Sequence, residues 1–248
     1  MTGIKNKISL ILLLTAVFAF SKAGMISSQA AFADGPAKGT GNAVKTAEAD
    51  PLSGISIPSD AYVFILVDSN HENKNATGTL KVYTRSSEES GWTEKVPATH
   101  TVMGRGGMGK AKEGDEKTPL GMFKMDTPFG INDRESGFPD NYLKVGNNHY
   151  WSGDAKNGTY NRLTDINKYP GLDTKNSEHL IDIKEEYKYC INIGYNTENT
   201  PGKGYALFLH CINKYSGRGT GGCAAVDEEV MKQILKLYKN GSTYILIR

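Results

Sequence analysis

The chain has 248 residues, with 29 lysine and arginine residues against 27 aspartate and glutamate residues. This length is too short for two large domains and long enough for one domain with a substantial core. Three cysteines are too few for a disulfide scaffold, and 38% hydrophobic residues argue against an intrinsically disordered chain.

The N-terminal segment has the pattern of a secretory signal peptide. Lys5 and Lys7 give it a positive start, residues 8–20 are mostly apolar, and residues 31–33 (Ala-Phe-Ala) match a cleavage site. As a helix the apolar stretch spans roughly 20 Å, less than the ~30 Å hydrocarbon core of a membrane. We therefore expect residues 1–33 to be removed, leaving a secreted protein without a stable membrane anchor. Retention as an uncleaved anchor is the alternative.

The apparent positive charge belongs to this leader. Residues 1–33 contain Lys5, Lys7 and Lys22 and no acidic residue. Taking those three lysines from the 29 basic residues leaves 26 against 27 acidic residues, so the net charge changes from +2 to −1. The remaining chain lacks the positive charge typical of nucleic-acid-binding proteins, and we expect no nucleic-acid partner.

The rest of the chain is predicted to contain a linker and one domain. Residues 34–55 are rich in Gly, Ala, Lys, Asp and Pro and have no apolar periodicity, which predicts a flexible linker. Residues 56–248 contain no second linker and no internal repeat. They are therefore predicted to fold as a single domain.

Most of this domain is predicted to be β-structure. Residues 61–67 and 79–84 are β-rich runs, and the Asn-, Ser- and Gly-rich stretch between them suits a hairpin loop. Residues 187–195 alternate between aromatic or aliphatic and smaller or polar side chains, as in a strand with one buried face. Residues 205–210 are apolar on both faces, which is typical of a central strand, and residues 242–247 are predicted to form the closing strand.

One amphipathic helix is predicted over residues 228–239. Its apolar residues recur on one face, Asp227 is expected to cap its start, and Asn240 and Gly241 are expected to end it. The predicted fold class is therefore mainly β, with one principal C-terminal helix packed against the sheet.

Two glycine-rich segments match nucleotide-binding loops in spacing only. Residues 104–110 have the P-loop spacing, but Ala111 stands where Mg²⁺ needs a hydroxyl, and no helix is predicted to follow. Residues 217–222 have the dinucleotide-binding spacing, but too little chain follows them for a βαβ unit. Both segments are predicted to be turns, and no cofactor is expected.

The strongest chemical signal is a histidine followed by a cysteine in a glycine-rich turn. His210 ends a predicted buried strand, and Cys223 follows Gly221 and Gly222 shortly before the helix. A nucleophilic thiol needs a base within hydrogen-bond reach, and backbone amides that can hold an oxyanion. Glycines allow amides to point together into a concave nest. The pattern predicts Cys223 as nucleophile and His210 as its base, whose protonated form would favour the thiolate.

Simpler explanations exist for each residue alone, because buried cysteines usually only pack and strand-end histidines are usually structural. Strand alternation directs Cys211 to the face opposite His210, so Cys211 is expected to pack, as is Cys190. A Cys190–Cys211 disulfide is an alternative. A zinc site from His210, Cys211 and Cys223 is another, although it lacks a Cys-x-x-Cys pair and a fourth ligand, and no metal is expected.

Several segments together resemble one known family. They are Phe208-Leu209-His210 with Thr220-Gly221-Gly222-Cys223, residues 113–123 (Glu-Gly-Asp-Glu-Lys-Thr-Pro-Leu-Gly-Met-Phe), Tyr160-Asn161, Ser177-Glu178-His179 and Tyr195-Asn196. Taken together, these segments resemble the signatures of the YkuD-type L,D-transpeptidases, in the branch with a short loop between His and Cys. Gly221 stands where the commoner family pattern has His, and Ala224-Ala225 stand where it has Arg or Asn.

The resemblance implies a mixed β-sheet or sandwich fold and a cysteine acyltransferase of cell-wall synthesis that acts on peptidoglycan stem peptides. Cys223 would attack the carbonyl of the diamino acid at the third stem position and expel the terminal D-Ala. The acyl group would then pass to a neighbouring stem amine as a 3–3 cross-link. His210 would be oriented by the backbone carbonyl of Cys211, and the amides of Gly221, Gly222 and Cys223 would form the oxyanion hole.

Two alternative functions fit the same residues: hydrolysis at the same site, as in an L,D-carboxypeptidase, and a non-catalytic wall-binding module. The candidate substrate-binding residues are Tyr160, Asn161, Ser177, His179 and Arg218. Residues 118–121 are expected to form a turn between two strands rather than to contact the substrate.

Overall fold

This computed structural model describes residues 50 and 52–248 of the chain. These residues contain fourteen strands, one α-helix and three short 3-10 helices. The strands are β1 (Val63–Ser69), β2 (Thr77–Thr84), β3 (Thr93–Val102), β4 (Gly107–Met108), β5 (Lys117–Thr118), β6 (Gly121–Gly130), β7 (Leu143–Lys144), β8 (His149–Trp151), β9 (Leu163–Asp165), β10 (Glu178–His179), β11 (Cys190–Ile193), β12 (Phe208–Cys211), β13 (Ala224–Val226) and β14 (Thr243–Ile247). The helix α1 is Glu228–Leu237, and the 3-10 helices are Thr174–Asn176, Leu180–Asp182 and Glu186–Lys188. The predicted signal peptide, residues 1–33, lies outside the described residues.

Nine strands form the main sheet, in the order β11-β12-β13-β3-β2-β1-β14-β6-β7. Because β11 also pairs with β6, eight of these strands close into a ring. The hairpin predicted near the start of the domain is present, since β1 and β2 pair antiparallel with Ser69 opposite Gly78. A three-stranded sheet, β10-β8-β9, and the short pair β4-β5 complete the β-structure of the described residues.

The core is built from strands that are buried on both faces. In β1, Val63 and Ile65 belong to the largest apolar cluster, whereas Phe64 belongs to a second cluster on the opposite face. The helix α1 adds Met231 and Ile234 to the largest cluster. Full burial of such side chains contributes about 1.5–3 kcal/mol each, so the two-sided burial fixes the register of the sheet. The predicted mainly β fold with one principal helix is confirmed.

The helix differs from its prediction at both ends. It ends at Leu237 instead of residue 239, and the amide of Tyr238 donates to the carbonyl of Ile234. Asp227 occupies the N-cap position, but its side chain makes no capping hydrogen bond, so the predicted cap is wrong in this respect. Gly241 adopts a φ of +74° in the following turn, a conformation that favours glycine.

Residues 187–195 do not form one alternating strand, which corrects the sequence-based prediction. A 3-10 turn occupies Glu186–Lys188, and β11 contains only Cys190–Ile193, all four of which are buried. Both edges of β11 are paired and apolar clusters cover both of its faces. Asn192 remains buried because its amide donates to the Asp126 carboxylate at 2.8 Å. Alternating polarity therefore does not indicate an exposed face here.

Ordered packing begins before residue 56, the predicted start of the domain. Leu52 is 2% exposed and packs in the cluster that contains Ala61 and Phe64, and Ile55 packs against the same cluster. The last residues of the predicted linker are therefore attached to the sheet.

Among the described residues, no helix has the length and apolar character needed to cross a membrane.

Candidate active site

The strands β12 and β13 place His210 and Cys223 on one face of the sheet. These strands are parallel neighbours, and His210 lies opposite Ala225 in their register. Cys223 immediately precedes β13, where its sulfur accepts a hydrogen bond from the amide of Phe208 at 3.3 Å. Because side chains alternate along a strand, Phe208, His210 and Cys223 share this face, and Cys211 points to the opposite face as predicted.

His210 and Cys223 line the same cavity, which has a volume of about 560 Å³. Binding sites for small molecules and peptides commonly have this size. Cys223 is 6% exposed and His210 is 4% exposed, so only a small part of each side chain meets the cavity. Both residues contribute to the cavity lining and are otherwise enclosed by protein.

A backbone carbonyl holds the ring of His210. Its Nδ1 lies 2.8 Å from the carbonyl oxygen of Cys211, so the predicted contact is present. With the carbonyl as acceptor, Nδ1 carries the hydrogen in the neutral ring and Nε2 is left to accept a proton. The ring of Tyr187 packs edge-on against the imidazole, with centroids 5.6 Å apart. The ring orientation is thus set without a carboxylate.

Burial disfavours the charged forms of both groups. It raises the pKa of the Cys223 thiol to about 12, a shift that the Phe208 amide opposes and the negative charge of Glu178 increases. Burial also lowers the pKa of His210, although the Cys211 carbonyl and Glu186 act in the other direction. The two shifts favour a neutral thiol and a neutral imidazole in the free site. The expected thiolate paired with a protonated His210 is therefore not supported for this state.

In the glycine turn before Cys223, one of the three predicted oxyanion donors is already hydrogen-bonded and the other two are not. Gly222 has a φ of +135°, and a Cβ there would lie 2.8 Å from the carbonyl oxygen of Lys117, so glycine is required. The Gly222 amide donates to the Thr220 hydroxyl at 3.1 Å. The Gly221 and Cys223 amides have no acceptor among the described residues. Two of the three predicted donors are thus free to bind an oxyanion.

This arrangement agrees with the comparison to known families. The family model of the L,D-transpeptidase catalytic domain, YkuD, matches residues 64–247. The chain belongs to this family. No curated protein matches the sequence. The solved structure of Bd1075 from Bdellovibrio bacteriovorus is similar, with 19% identity and a TM-score of 0.40 over 76% of this chain and 48% of that one. This chain thus spans about half the length of that protein.

The second family signature contributes a residue that holds the nucleophile turn. The Thr118 hydroxyl donates to the carbonyl of Cys223 at 3.1 Å and accepts from the amide of Gly104 at 2.8 Å. The Thr220 hydroxyl donates to the same Cys223 carbonyl at 2.6 Å. Of the predicted turn at residues 118–121, Thr118 belongs to β5 and Gly121 to β6, and only residues 119–120 connect the two strands. The role of Thr118 was not predicted, because it depends on a contact with a distant segment.

We expect Thr118→Val to destabilise the domain by about 1–3 kcal/mol, because it leaves a buried amide without an acceptor. The turn that carries Cys223 should also loosen, so acyl transfer should decline. Urea unfolding would measure the stability, with Thr118→Ser as the control that keeps the hydroxyl. Equal stability of the Val and Ser variants would contradict this role.

The acidic residue of the second signature organises the loop beside the cavity. The Asp115 carboxylate accepts hydrogen bonds from the amides of Ala111, Lys112 and Lys117, and forms a buried ion pair with Lys110 at 2.9 Å. Burial opposes its ionisation, but these donors prevail and hold its pKa below the usual range. Lys110 is thus committed to Asp115. The glycine-rich segment before it was predicted to be a turn, but it contains the short strand β4 and a β-bridge between Gly104 and Thr220, which corrects that prediction.

Tyr160 and Asn161 lie behind the cavity wall, which corrects their prediction as groove residues. The Tyr160 hydroxyl donates to Glu113 and accepts from the amide of Gly204 at 3.2 Å. The Asn161 side-chain oxygen accepts from the amide of Ala206 at 3.2 Å. The carbonyl of Ala206 in turn accepts from the candidate nucleophile at 3.5 Å. Both residues therefore support the cavity instead of lining it.

Ser177 and His179 also lie off the cavity, whereas Arg218 lines it. The Ser177 hydroxyl donates to the carbonyl of Asp173 at 2.8 Å, and His179 pairs with Asp182 at 2.9 Å. Both are engaged in holding their own segment and neither lines this cavity, so their role as substrate-binding residues stays a prediction. Arg218 is exposed and belongs to the cavity lining, as predicted for a substrate-binding residue.

Glu178 lines the cavity and was not among the candidate site residues. It lies between Ser177 and His179, and alternation along β10 turns its side chain to the opposite side. Tyr187 donates a hydrogen bond to it at 2.7 Å, and burial raises its pKa to about 7. The signal that could have identified Glu178 was the alternation of side chains along Ser177-Glu178-His179, a segment that resembles the family.

The alternatives based on the other cysteines do not fit the structure. Cys190 lies opposite His210 in the β11–β12 register, so it faces the side away from Cys211. All three cysteines are free. The orientation of Cys211 also removes it from the zinc set considered with His210 and Cys223. Within residues 52–248, no group of three or more His, Cys, Asp or Glu side chains is arranged to hold a metal ion.

Proposed function

We propose that this chain is a cysteine-dependent L,D-transpeptidase acting on the tetrapeptide stems of peptidoglycan. The observation that carries the proposal is the position of Cys223 and His210 on one face, in one cavity, with the imidazole held by the Cys211 carbonyl. Acyl transfer requires a nucleophile, a base and oxyanion donors at one place. The family membership supports the same chemistry.

In the acylation step, His210 accepts the thiol proton while the sulfur of Cys223 attacks the carbonyl carbon of the third stem residue. The amides of Gly221 and Cys223 bind the oxyanion, and Gly222 can contribute if its amide leaves the Thr220 hydroxyl. Loss of one such donor typically costs about 10²–10³ in rate. The amide bond then breaks, His210 returns the proton to the amine of D-Ala, and a thioester remains.

The neutral resting state suits this sequence of events. Because burial opposes both a thiolate and an imidazolium, the proton moves only as the sulfur forms its bond to carbon. The developing negative charge then passes to the substrate oxygen, where the turn amides receive it. His210 acts as a general base in this scheme, and a preformed ion pair is not needed.

In the second step, the thioester passes to the side-chain amine of a neighbouring stem and forms a 3–3 cross-link. Arg218, exposed at the cavity, would hold a substrate carboxylate, because Ala224 and Ala225 occupy the positions where the commoner family pattern has Arg or Asn. No cofactor enters either step. Since peptidoglycan lies outside the cytoplasmic membrane, the proposal includes export by residues 1–33 and location in the cell wall.

We expect the purified chain to release D-Ala from disaccharide-tetrapeptide muropeptides and to form 3–3 linked dimers, as measured by liquid chromatography and mass spectrometry. Tripeptide monomers without dimers would identify an L,D-carboxypeptidase that uses the same site. No change in the muropeptides would contradict the proposal and favour a non-catalytic wall-binding module.

A further inference from the structure

The cavity contains a carboxylate whose charge is not compensated by protein. Among the described residues, the one hydrogen bond to the Glu178 carboxylate comes from the Tyr187 hydroxyl at 2.7 Å, and no cation lowers the pKa of this carboxylate. Burial is the dominant influence and raises that pKa to about 7. Asp115, in the neighbouring loop, differs because it has a lysine and three amide donors. Glu178 therefore lacks the partner that a desolvated carboxylate needs.

Two aromatic side chains lie beside this carboxylate. Tyr187 and Tyr205 both line the cavity with Glu178. Tyr187 links the carboxylate to the proposed base, because its hydroxyl donates to Glu178 at 2.7 Å and its ring lies 5.6 Å from the His210 ring, between centroids. A ligand group held at Glu178 therefore lies in the same cavity as the sulfur of Cys223, on which a thioester would form.

The chemistry of these three side chains selects a positively charged ligand. An incoming cation would restore the electrostatic interaction that burial removes from Glu178, whereas an anion would be repelled. The faces of aromatic rings also attract ammonium groups. A primary alkylammonium group fits because it can donate one hydrogen bond to Glu178, which Tyr187 holds in place, while its alkyl chain contacts the half-buried ring of Tyr205.

We propose that Glu178, Tyr187 and Tyr205 form an acceptor subsite for a primary alkylammonium group, and that Glu178 removes a proton from this group so that the free amine can attack the Cys223 thioester. This inference rests on the proposed function and assigns its second step to named residues. The Glu178 carboxylate thus favours amines over water as acceptors.

The protons of this step balance. The ammonium group gives one proton to the Glu178 carboxylate, and the nitrogen lone pair then attacks the thioester carbon. As the carbon–nitrogen bond forms and the carbon–sulfur bond breaks, a second proton passes from nitrogen to His210 and then to the sulfur of Cys223. Glu178 afterwards releases its proton to water. A carboxyl group with a pKa near the working pH can perform both transfers.

The test uses the full chain, a tetrapeptide muropeptide donor and two acceptors of different charge. One acceptor is Nα-acetyl-L-lysine, a charged primary amine, and the other is hydroxylamine, which is uncharged near neutral pH. In Glu178→Gln, transfer to the lysine amine should fall by about 10²-fold, a usual contribution of general-base catalysis. D-Ala release and hydroxamate formation should persist, because neither needs this base.

Matched variants separate the role of Glu178 from a general loss of charge. Glu185→Gln removes a nearby carboxylate that lies outside the cavity lining and pairs with Lys188 at 2.9 Å, and both transfers should be retained. Glu178→Asp keeps a carboxylate and should recover part of the transfer to lysine. Thermal melting of each variant checks that the fold is intact.

Two results would overturn the subsite: unchanged transfer to the lysine amine in Glu178→Gln, or an equal decline with both acceptors. A failure of the proposed function would look different, because the unmodified chain would then release no D-Ala and form no acyl-enzyme.

Discussion

Replacing Cys223 by alanine is expected to abolish D-Ala release and acyl transfer, with a loss on the order of 10⁴-fold or more, because no thioester can form. The fold should persist, since the sulfur makes only two weak hydrogen bonds, to the Phe208 amide at 3.3 Å and the Ala206 carbonyl at 3.5 Å. Intact-mass spectrometry after incubation with a carbapenem should show an adduct on the unmodified chain and none on Cys223→Ala.

Cys211→Ala is the control for this experiment. Cys211 is buried on the opposite face of β12, and its side chain contacts the carbonyl of Tyr189 at 3.7 Å. Its removal should leave the adduct and much of the activity. A lasting adduct on Cys223→Ala, or its loss in Cys211→Ala with the fold intact, would show that the nucleophile has been assigned to the wrong cysteine.

His210→Gln is expected to slow acylation by about 10²–10⁴-fold, the usual contribution of a general base. Glutamine has no group that can accept the thiol proton at neutral pH, and burial keeps the thiol pKa high. The rate of D-Ala release under single-turnover conditions would measure this step directly. Acylation that proceeds at the normal rate in this variant would exclude His210 as the base.

The pH dependence of acylation follows from the direction of the His210 shift. The neutral imidazole is the active form, so the rate is full above the His210 pKa and falls as the pH drops through it. Because burial lowers this pKa, the acid limb should lie below the pH of about 6.5 expected for an exposed histidine. Glu186 and the Cys211 carbonyl oppose the shift, so removing the charge of Glu186 should move the limb further down. If His210→Gln shows the same limb, another group is responsible.

Much of the fold class could be predicted, and His210 and Cys223 could be proposed as the central pair of the site, because the signals are local. The apolar run that ends at His210 and the glycine turn at Cys223 each determine a short piece of backbone. Parallel pairing of β12 with β13 then places the two residues on one face of the sheet and in the lining of one cavity, without a hydrogen bond between them among the described residues. Local patterns also predicted that Cys211 faces away from His210, because alternation along a strand depends on neighbouring residues alone.

The supporting contacts could not be predicted because they join segments that are distant in sequence. Thr118 acts on the carbonyl of Cys223, and Asn161 acts on Ala206. A residue of a recognisable motif can therefore lie behind the cavity, as Asn161 does. Glu178, which lies between the candidate residues Ser177 and His179 and was not itself a candidate, lines the cavity. The prediction of one alternating strand over residues 187–195 was wrong for a related reason. One edge of β11 pairs with β6, and the sequence around Cys190 contains no signal for this pairing.

The position of β14 has a consequence for how fast the domain folds. β14 lies between β1, where Val63 pairs with Thr243, and β6, where Gly121 pairs with Ile247. The closed ring can thus form only after segments from opposite ends of the domain have met, which carries a large loop-closure entropy and slows folding. Until then β1 and β6 each expose an unpaired edge, so we expect refolding yields to fall with protein concentration as these edges associate between molecules.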